Sequence, residues 1–158
     1  MASTPAVELL AKCDCVYRLH SYKHDPTSAA FGTEAASVLS LDASRVFKTL
    51  IAEADGQLVV ALVSVAHELD LRSLARSLGA KRAIMATPAV AERASGYVVG
   101  GISPLGQRRQ LTTLIDESAK DSTTVFVSGG RRGLEIEIDP VDLAKLTKAQ
   151  FASIARGH

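Results

Sequence analysis

The chain has 158 residues, 47% of them hydrophobic and 22% charged, with a formal net charge of +1. Such a composition excludes a disordered chain, and the near-neutral balance excludes a protein that is basic throughout and coats nucleic acid. Any phosphate or nucleic-acid contact needs a local cluster, for which Arg108–Arg109, Arg131–Arg132, Lys81–Arg82 and the isolated Lys48 are the candidates. The predicted elements begin at Ser3–Thr4–Pro5, a hydroxyl N-cap followed by proline in the first turn, with an apolar stripe running to about Lys12. Residues 15–22 read as a strand, and Thr33 to Leu39 as a second short helix. Arg45–Ala54 and Gln57–Val65 are strands joined by Asp55–Gly56, a strong hairpin signal. A helix over Leu71–Leu78 stops at Gly79, and Thr87–Pro88 opens another through Ala94. Beyond a glycine-rich loop come strands near 111–116, 123–127 and 133–138. Asp139–Pro140 starts a further helix, and a last helix is expected over Lys148–Ala155. Without strict βαβ alternation, the expected fold is α+β (irregular α/β): a single domain, residues 1–158, with a mixed, largely antiparallel sheet packed with helices.

Cys13 and Cys15 are too close in sequence to staple a fold, and a reduced, cytosolic state is the default expectation. The segment MASTPAVELLAK has no apolar core of a signal peptide, and no apolar run approaches a membrane span, so a cytoplasmic location is expected. Cys13, Cys15, His20 and His24 are zinc-ligand types, but strand alternation separates them and their spacing fits no finger or ribbon, so no metal is expected. No Ser-His-Asp or Cys-His arrangement stands out, and His67, beside Glu68 and Asp70, reads as a capping or surface residue. A hydrolase with this sequence would use a water placed by backbone groups, or a nucleophile brought by the substrate.

Two stretches repeat the order of two glycines followed by two arginines: GGISPLGQRR, Gly100 to Arg109, and SGGRRG, Ser128 to Gly133. Gly101-x4-Gly106 imitates the first half of a P-loop, but Gln107–Arg108 stand where lysine and a hydroxyl are needed. The dinucleotide fingerprint Gly-x-Gly-x-x-Gly is also absent. The first loop is either a structural turn or a ligand loop. Paired glycines allow close approach to backbone amides, and Pro104 fixes its shape. Alternation puts Val46, Lys48 and Leu50 on one strand face and Phe47, Thr49 and Ile51 on the other. Lys48 therefore either snorkels to solvent from that run or offers a directional cation to a phosphate or carbonyl oxygen.

Taken together, HSYKHDP (20–26), FGTEAA (31–36), RVFKTLI (45–51), GYVVGGISPLGQRR (96–109) and VSGGRRGLEIEI (127–138) resemble the YbaK/EbsC family over nearly the whole chain. These are free-standing relatives of the editing domain inserted in bacterial prolyl-tRNA synthetases. The resemblance is greatest to the YbaK branch and implies a trans-editing deacylase for mischarged Cys-tRNA(Pro), working beside prolyl-tRNA synthetase on the 3′ CCA end. It implies no metal, no cofactor and no enzyme nucleophile; the substrate's own thiol attacks its ester. Lys48 matches the family's essential lysine. Gly100, Gly101, Ser103 and Pro104 match its G-x-x-x-P loop, with the backbone near Gly101 facing the aminoacyl group. Tyr22 and Phe31 match aromatic positions lining the site, Ser128 a serine of the second glycine loop, and Glu135 an acidic position. A deacylase for Ala-tRNA(Pro) or another mischarged tRNA, or a non-catalytic binder of tRNA ends or small anions, are the alternatives. Near-neutral charge implies weak tRNA binding by the chain alone.

Overall fold

The structure is a computed structural model; it describes residues 3–24 and 31–157, without the side chains of residues 31 and 32. In chain order the elements are α1 (Pro5–Ala11), β1 (Tyr17–Ser21), α2 (Phe31–Val38), β2 (Phe47–Ala54), β3 (Gln57–Ser64), β4 (Glu68–Leu69), α3 (Leu71–Ser77), β5 (Ala83–Met85), α4 (Pro88–Ser95), β6 (Thr112–Asp116), β7 (Val125–Ser128), β8 (Leu134–Ile138), α5 (Pro140–Thr147), β9 (Gln150–Ala152) and β10 (Ala155–Arg156). Single 3-10 turns cover Ala43–Arg45 and Glu117–Asp121. Three helices start by the same local chemistry. Thr4, Thr87 and Asp139 accept hydrogen bonds from the amides of Val7, Val90 and Val141 at 3.2, 3.3 and 2.7 Å, and each is followed by proline. The cap supplies an acceptor for an orphan amide, and proline has no amide to leave orphaned.

β2 and β3 form the expected hairpin, with Asp55 and Gly56 both at positive φ (49° and 83°) as a two-residue primed turn requires. They lie in a five-stranded sheet ordered β5-β2-β3-β6-β9, antiparallel on the β5 side and parallel on the β9 side. A second sheet, β1-β8-β7, is antiparallel throughout, and β10 pairs with β4. The alternation along the hairpin divides the core. Phe47, Ile51, Val60 and Leu62 share one cluster with α1, α4, α5 and the second sheet. Ala52, Ala54, Val59, Ala61 and Val63 face Leu74 and Ala75 of α3 and Ile154. Fully burying each such aliphatic side chain is worth about 1.5–3 kcal/mol, so both faces of the hairpin stabilise the fold.

Three expectations change. Lys148–Ala155 is not a helix: Lys148 turns left-handed (φ 55°) and ends α5. Gln150–Ala152 then add β9 to the sheet edge beside Leu114–Asp116. The buried carboxylate of Asp116 accepts the amides of Ile154 and Ala155, both at 3.0 Å, capturing backbone a helix would have used internally. Cys13 and Cys15 are joined as a disulfide across a single intervening residue, in the turn between α1 and β1 rather than in a strand. Thr33 lies inside α2, which begins at Phe31.

Candidate active site

β5 is shorter than its neighbour and pairs only with Ala52–Ala54 of β2. The start of β2, from Phe47 to Ile51, is therefore an open sheet edge on that side among the described residues, apart from one bond from the Ala86 amide to the Ile51 carbonyl (3.1 Å). A cleft of about 430 Å³ follows this edge. Met85, Ala86, Pro88 and Ala91 close one side, Val99, Gly100 and Ile102 another, and Tyr22, Ser128 and Glu135 of the three-stranded sheet region a third. Lys48 lines the cleft, half-buried, and its Nζ donates to the carbonyl oxygen of His67 at 3.0 Å. Burial lowers its pKa from 10.5, against a smaller opposing effect of the Glu68 carboxylate. An ammonium so held is partly stripped of water and keeps further N–H donors for a ligand oxygen.

Among the described residues, Glu135 is the other charged-type residue lining the cleft, and it is only 7% exposed. Its place on β8 is fixed by pairing with His20 of β1 on one side and Ser128 of β7 on the other. Burial raises its pKa from 4.5 to about 8, so the carboxyl is mostly neutral at pH 7. Burial also raises the Tyr22 phenol, a hydrogen bond with the Gly133 backbone opposing it, while Glu135 and Glu34 push the same way as burial. Among the described residues, the wall that holds Glu135 therefore carries no full negative charge that would repel a phosphate or a developing oxyanion. Ser128 accepts the Gly130 amide through its Oγ at 3.1 Å, whereas the buried Thr49 Oγ1 has no hydrogen-bond partner. Among the described residues neither hydroxyl is paired with a base.

Of the residues singled out in the sequence, Tyr22, Lys48, Gly100, Ser128 and Glu135 meet in this cleft. Gly101, Ser103 and Pro104 lie behind its wall, all buried. A Cβ on Gly101 would meet Arg131 Cα at 2.7 Å, so its bare α-carbon serves contact with the second glycine loop. Ser103 Oγ accepts the Leu105 amide at 3.2 Å, holding the turn closed. The side chain of Phe31 lies outside the described residues. Arg108 and Arg109 are exposed, while Arg132 approaches Glu34 of α2 at 3.5 Å. His20 turns to Glu137 (Nε2 to Oε1, 2.9 Å). Sequence reading missed Thr49, Met85 and Val99. Alternation had given Thr49 to the core face, and nothing in the pattern around Met85 marks a three-residue edge strand.

These features define a mixed α/β fold with a cleft of small-ligand size lined by Lys48. The chain belongs to the aminoacyl-tRNA editing domain family, whose pattern matches residues 24–146. It is 38% identical over 120 residues to EbsC of Enterococcus faecalis, provisionally named a Cys-tRNA(Pro)/Cys-tRNA(Cys) deacylase, covering 75% of this chain and 73% of that protein. The proline–tRNA ligase of Geobacter sulfurreducens is 30% identical over 122 residues; these are 77% of this chain but 21% of the ligase. Among solved structures, one described provisionally as a trans-editing enzyme for prolyl-tRNA synthetase matches with a TM-score of 0.79 at 26% identity, over 89% of this chain and 87% of that one. As expected, the fold is a mixed α/β domain of the editing type, and no helix among the described residues is long and apolar enough to cross a membrane.

Proposed function

We propose that the chain is a trans-editing deacylase that hydrolyses the ester of Cys-tRNA(Pro), with the 3′ CCA end and its aminoacyl group in the Lys48 cleft. The observation that carries this reading is a half-buried ammonium in a cleft whose only lining carboxyl among the described residues is largely neutral, beside hydroxyls that no described base activates. Lys48 holds the terminal phosphate and ester oxygens and favours charge that develops on the carbonyl. The substrate supplies the nucleophile: its thiol sulfur bonds to the carbonyl carbon, the carbon–oxygen ester bond breaks, and the thiol proton passes to the departing ribose oxygen. Water then opens the resulting thiolactone. Val99, Ile102 and Met85 give the aminoacyl side chain an apolar wall, which suits cysteine's small, weakly polar thiol. Discrimination against a near-isostere in such a pocket reaches only a few kcal/mol, so a nucleophile present only in cysteine adds selectivity by chemistry. The names carried by EbsC and the structural relative support this assignment, as does the likeness to prolyl-tRNA synthetases, and a transient complex with that synthetase would supply the tRNA affinity a chain of net charge +1 lacks.

The test is loss of ester from Cys-tRNA(Pro), Ala-tRNA(Pro) and Pro-tRNA(Pro) incubated with the protein. Cleavage of the cysteinyl ester, abolished by Lys48→Ala in a variant that melts like the parent, is expected. Cleavage of the alanyl ester at a comparable rate would remove the thiol from the mechanism, and no cleavage of any ester would leave a binding module.

A further inference from the structure

A second concavity, of about 530 Å³, lies between α3 and the segment leading into β5. Its rim carries Arg72 and Arg76 of α3 with Lys81 and Arg82, all exposed, and its floor is Ala75, Ala80 and Ala83. We infer that this concavity binds the phosphate backbone of an RNA strand, immediately upstream of the nucleotide whose ester occupies the Lys48 cleft. The second half of that statement rests on the function proposed above; the first does not.

Charge is the first argument. Arg72 and Arg76 stand one helical turn apart, on the side of α3 away from Leu74, which is buried against the sheet. Like charges at this spacing oppose each other, and no carboxylate lies within ion-pair distance of any of the four cations among the described residues. The carboxylate of Asp55 accepts the backbone amides of Lys81 and Arg82 at 3.0 and 3.1 Å, so it fixes the segment through its main chain. Asp70 is likewise engaged as the cap of α3, accepting the amides of Arg72 and Ser73. Four of the 18 Lys and Arg residues of a nearly neutral chain thus crowd one rim without partners. An anionic chain relieves that repulsion, and the alanine floor leaves room for it.

Placement is the second argument. β5 begins at Ala83, in the groove, and ends at Met85, in the wall of the Lys48 cleft. Two strand residues span about 7 Å, so the two sites adjoin. Leu50, Ala52 and Ala54 belong to the cluster under α3, and Lys48 lies two residues before Leu50 on the same strand face. The ammonium and the groove cations therefore share one side of the sheet. Between them Met85, paired with Ala52 and so on that same face, is 44% exposed, an apolar step on which an unstacked base face can rest. A track of cation, apolar step and cations suits a single strand, whose charge and bases repeat; a compact acidic peptide has no use for the apolar step.

The test uses the full chain and a 5′-labelled, unacylated RNA minihelix with a single-stranded CCA end, titrated by anisotropy from 50 to 200 mM salt. The groove variant is Arg72→Gln/Arg76→Gln/Lys81→Gln; the control, Lys12→Gln/Arg18→Gln/Lys145→Gln, removes equal charge from exposed positions elsewhere. The groove variant should bind about tenfold more weakly or worse, and its log–log salt slope should fall by about 2 to 3, close to one for each phosphate left unneutralised. The control should change affinity less than about threefold. Equal losses in both variants, or none in the groove variant, overturn the inference. Unchanged RNA binding with lost retention on immobilised prolyl-tRNA synthetase also overturns it and gives the groove to a protein partner. If the wild type cleaves no aminoacyl ester, the cleft reading fails by itself, while a groove-specific loss of RNA binding still supports the phosphate site.

Discussion

The two glycine–arginine loops look alike in sequence and do different work. In Gly100–Arg109 the arginines are exposed and the glycines face inward; in Ser128–Gly133 the arginines are half-buried and Arg132 reaches Glu34 of α2. Their glycines pack on other parts of the protein: Gly101 lies against the Arg131–Arg132 backbone of the second loop, and Gly130 against Thr4 and Tyr97. Thr4 also donates its hydroxyl to the Gly129 carbonyl, and Tyr97 its phenol to the Leu105 carbonyl at 2.6 Å. What each loop gives the cleft is small, Gly100 and Ile102 from the first and Ser128 at the start of the second. A glycine-rich loop is thus read too eagerly as a ligand cradle. Here most of the missing side chains make room for neighbouring protein atoms.

The comparison breaks most easily at Gly101. Gly101→Ala places a methyl 2.7 Å from the Arg131 α-carbon, where only backbone can yield. A loss of roughly 4 kcal/mol or more is expected in denaturant unfolding; a loss below about 1 kcal/mol would show that the loops do not clasp. Glu135→Gln comes next. A carboxyl whose pKa rises from 4.5 to about 8 on folding favours the native state fully only below the unfolded value, and that contribution disappears as pH climbs through about 8. The parent should therefore lose on the order of 3 kcal/mol between pH 4.5 and 8 that the Gln variant keeps, read from melting curves across that range. Arg132→Ala should cost about 1–2 kcal/mol through the contact to buried Glu34. Arg109→Ala, removing an exposed side chain from the other loop, should stay within about 0.5 kcal/mol. Equal costs at the two arginines would erase the distinction between the loops.

What the sequence made legible was chemistry confined to a few neighbouring residues. The Thr-Pro and Asp-Pro caps, the Asp55–Gly56 turn and the alternation around Lys48 each act within one turn or one strand, and each appears where expected. The helix expected at Lys148–Ala155 failed because its apolar spacing is satisfied equally by an edge strand. What decides between them is Asp116, 38 and 39 residues upstream of the amides it takes. The same limit applies to the site. Lys48 is visible in its own strand, but Glu135 and Tyr22 become its neighbours only through pairings that cross more than 100 residues. Neither the three-residue strand β5 nor the groove beside it leaves a periodic mark, although Lys81–Arg82 were already conspicuous as a charge pair.

The acceptor that steadies Lys48 has a bearing on when the cleft can exist during synthesis. His67, whose carbonyl holds the ammonium, directly precedes β4, and β4 is tied to β10 by the pairs Glu68–Arg156 and Leu69–Ala155. The Asp70 amide adds a bond to the Ile154 carbonyl at 2.7 Å. A ribosome that has delivered only the first 150 residues has made every described residue that lines the cleft, yet none of the strand that braces this corner. Vectorial folding then leaves Lys48 without a fixed acceptor until residues 154–156 emerge and close contacts spanning more than 80 positions.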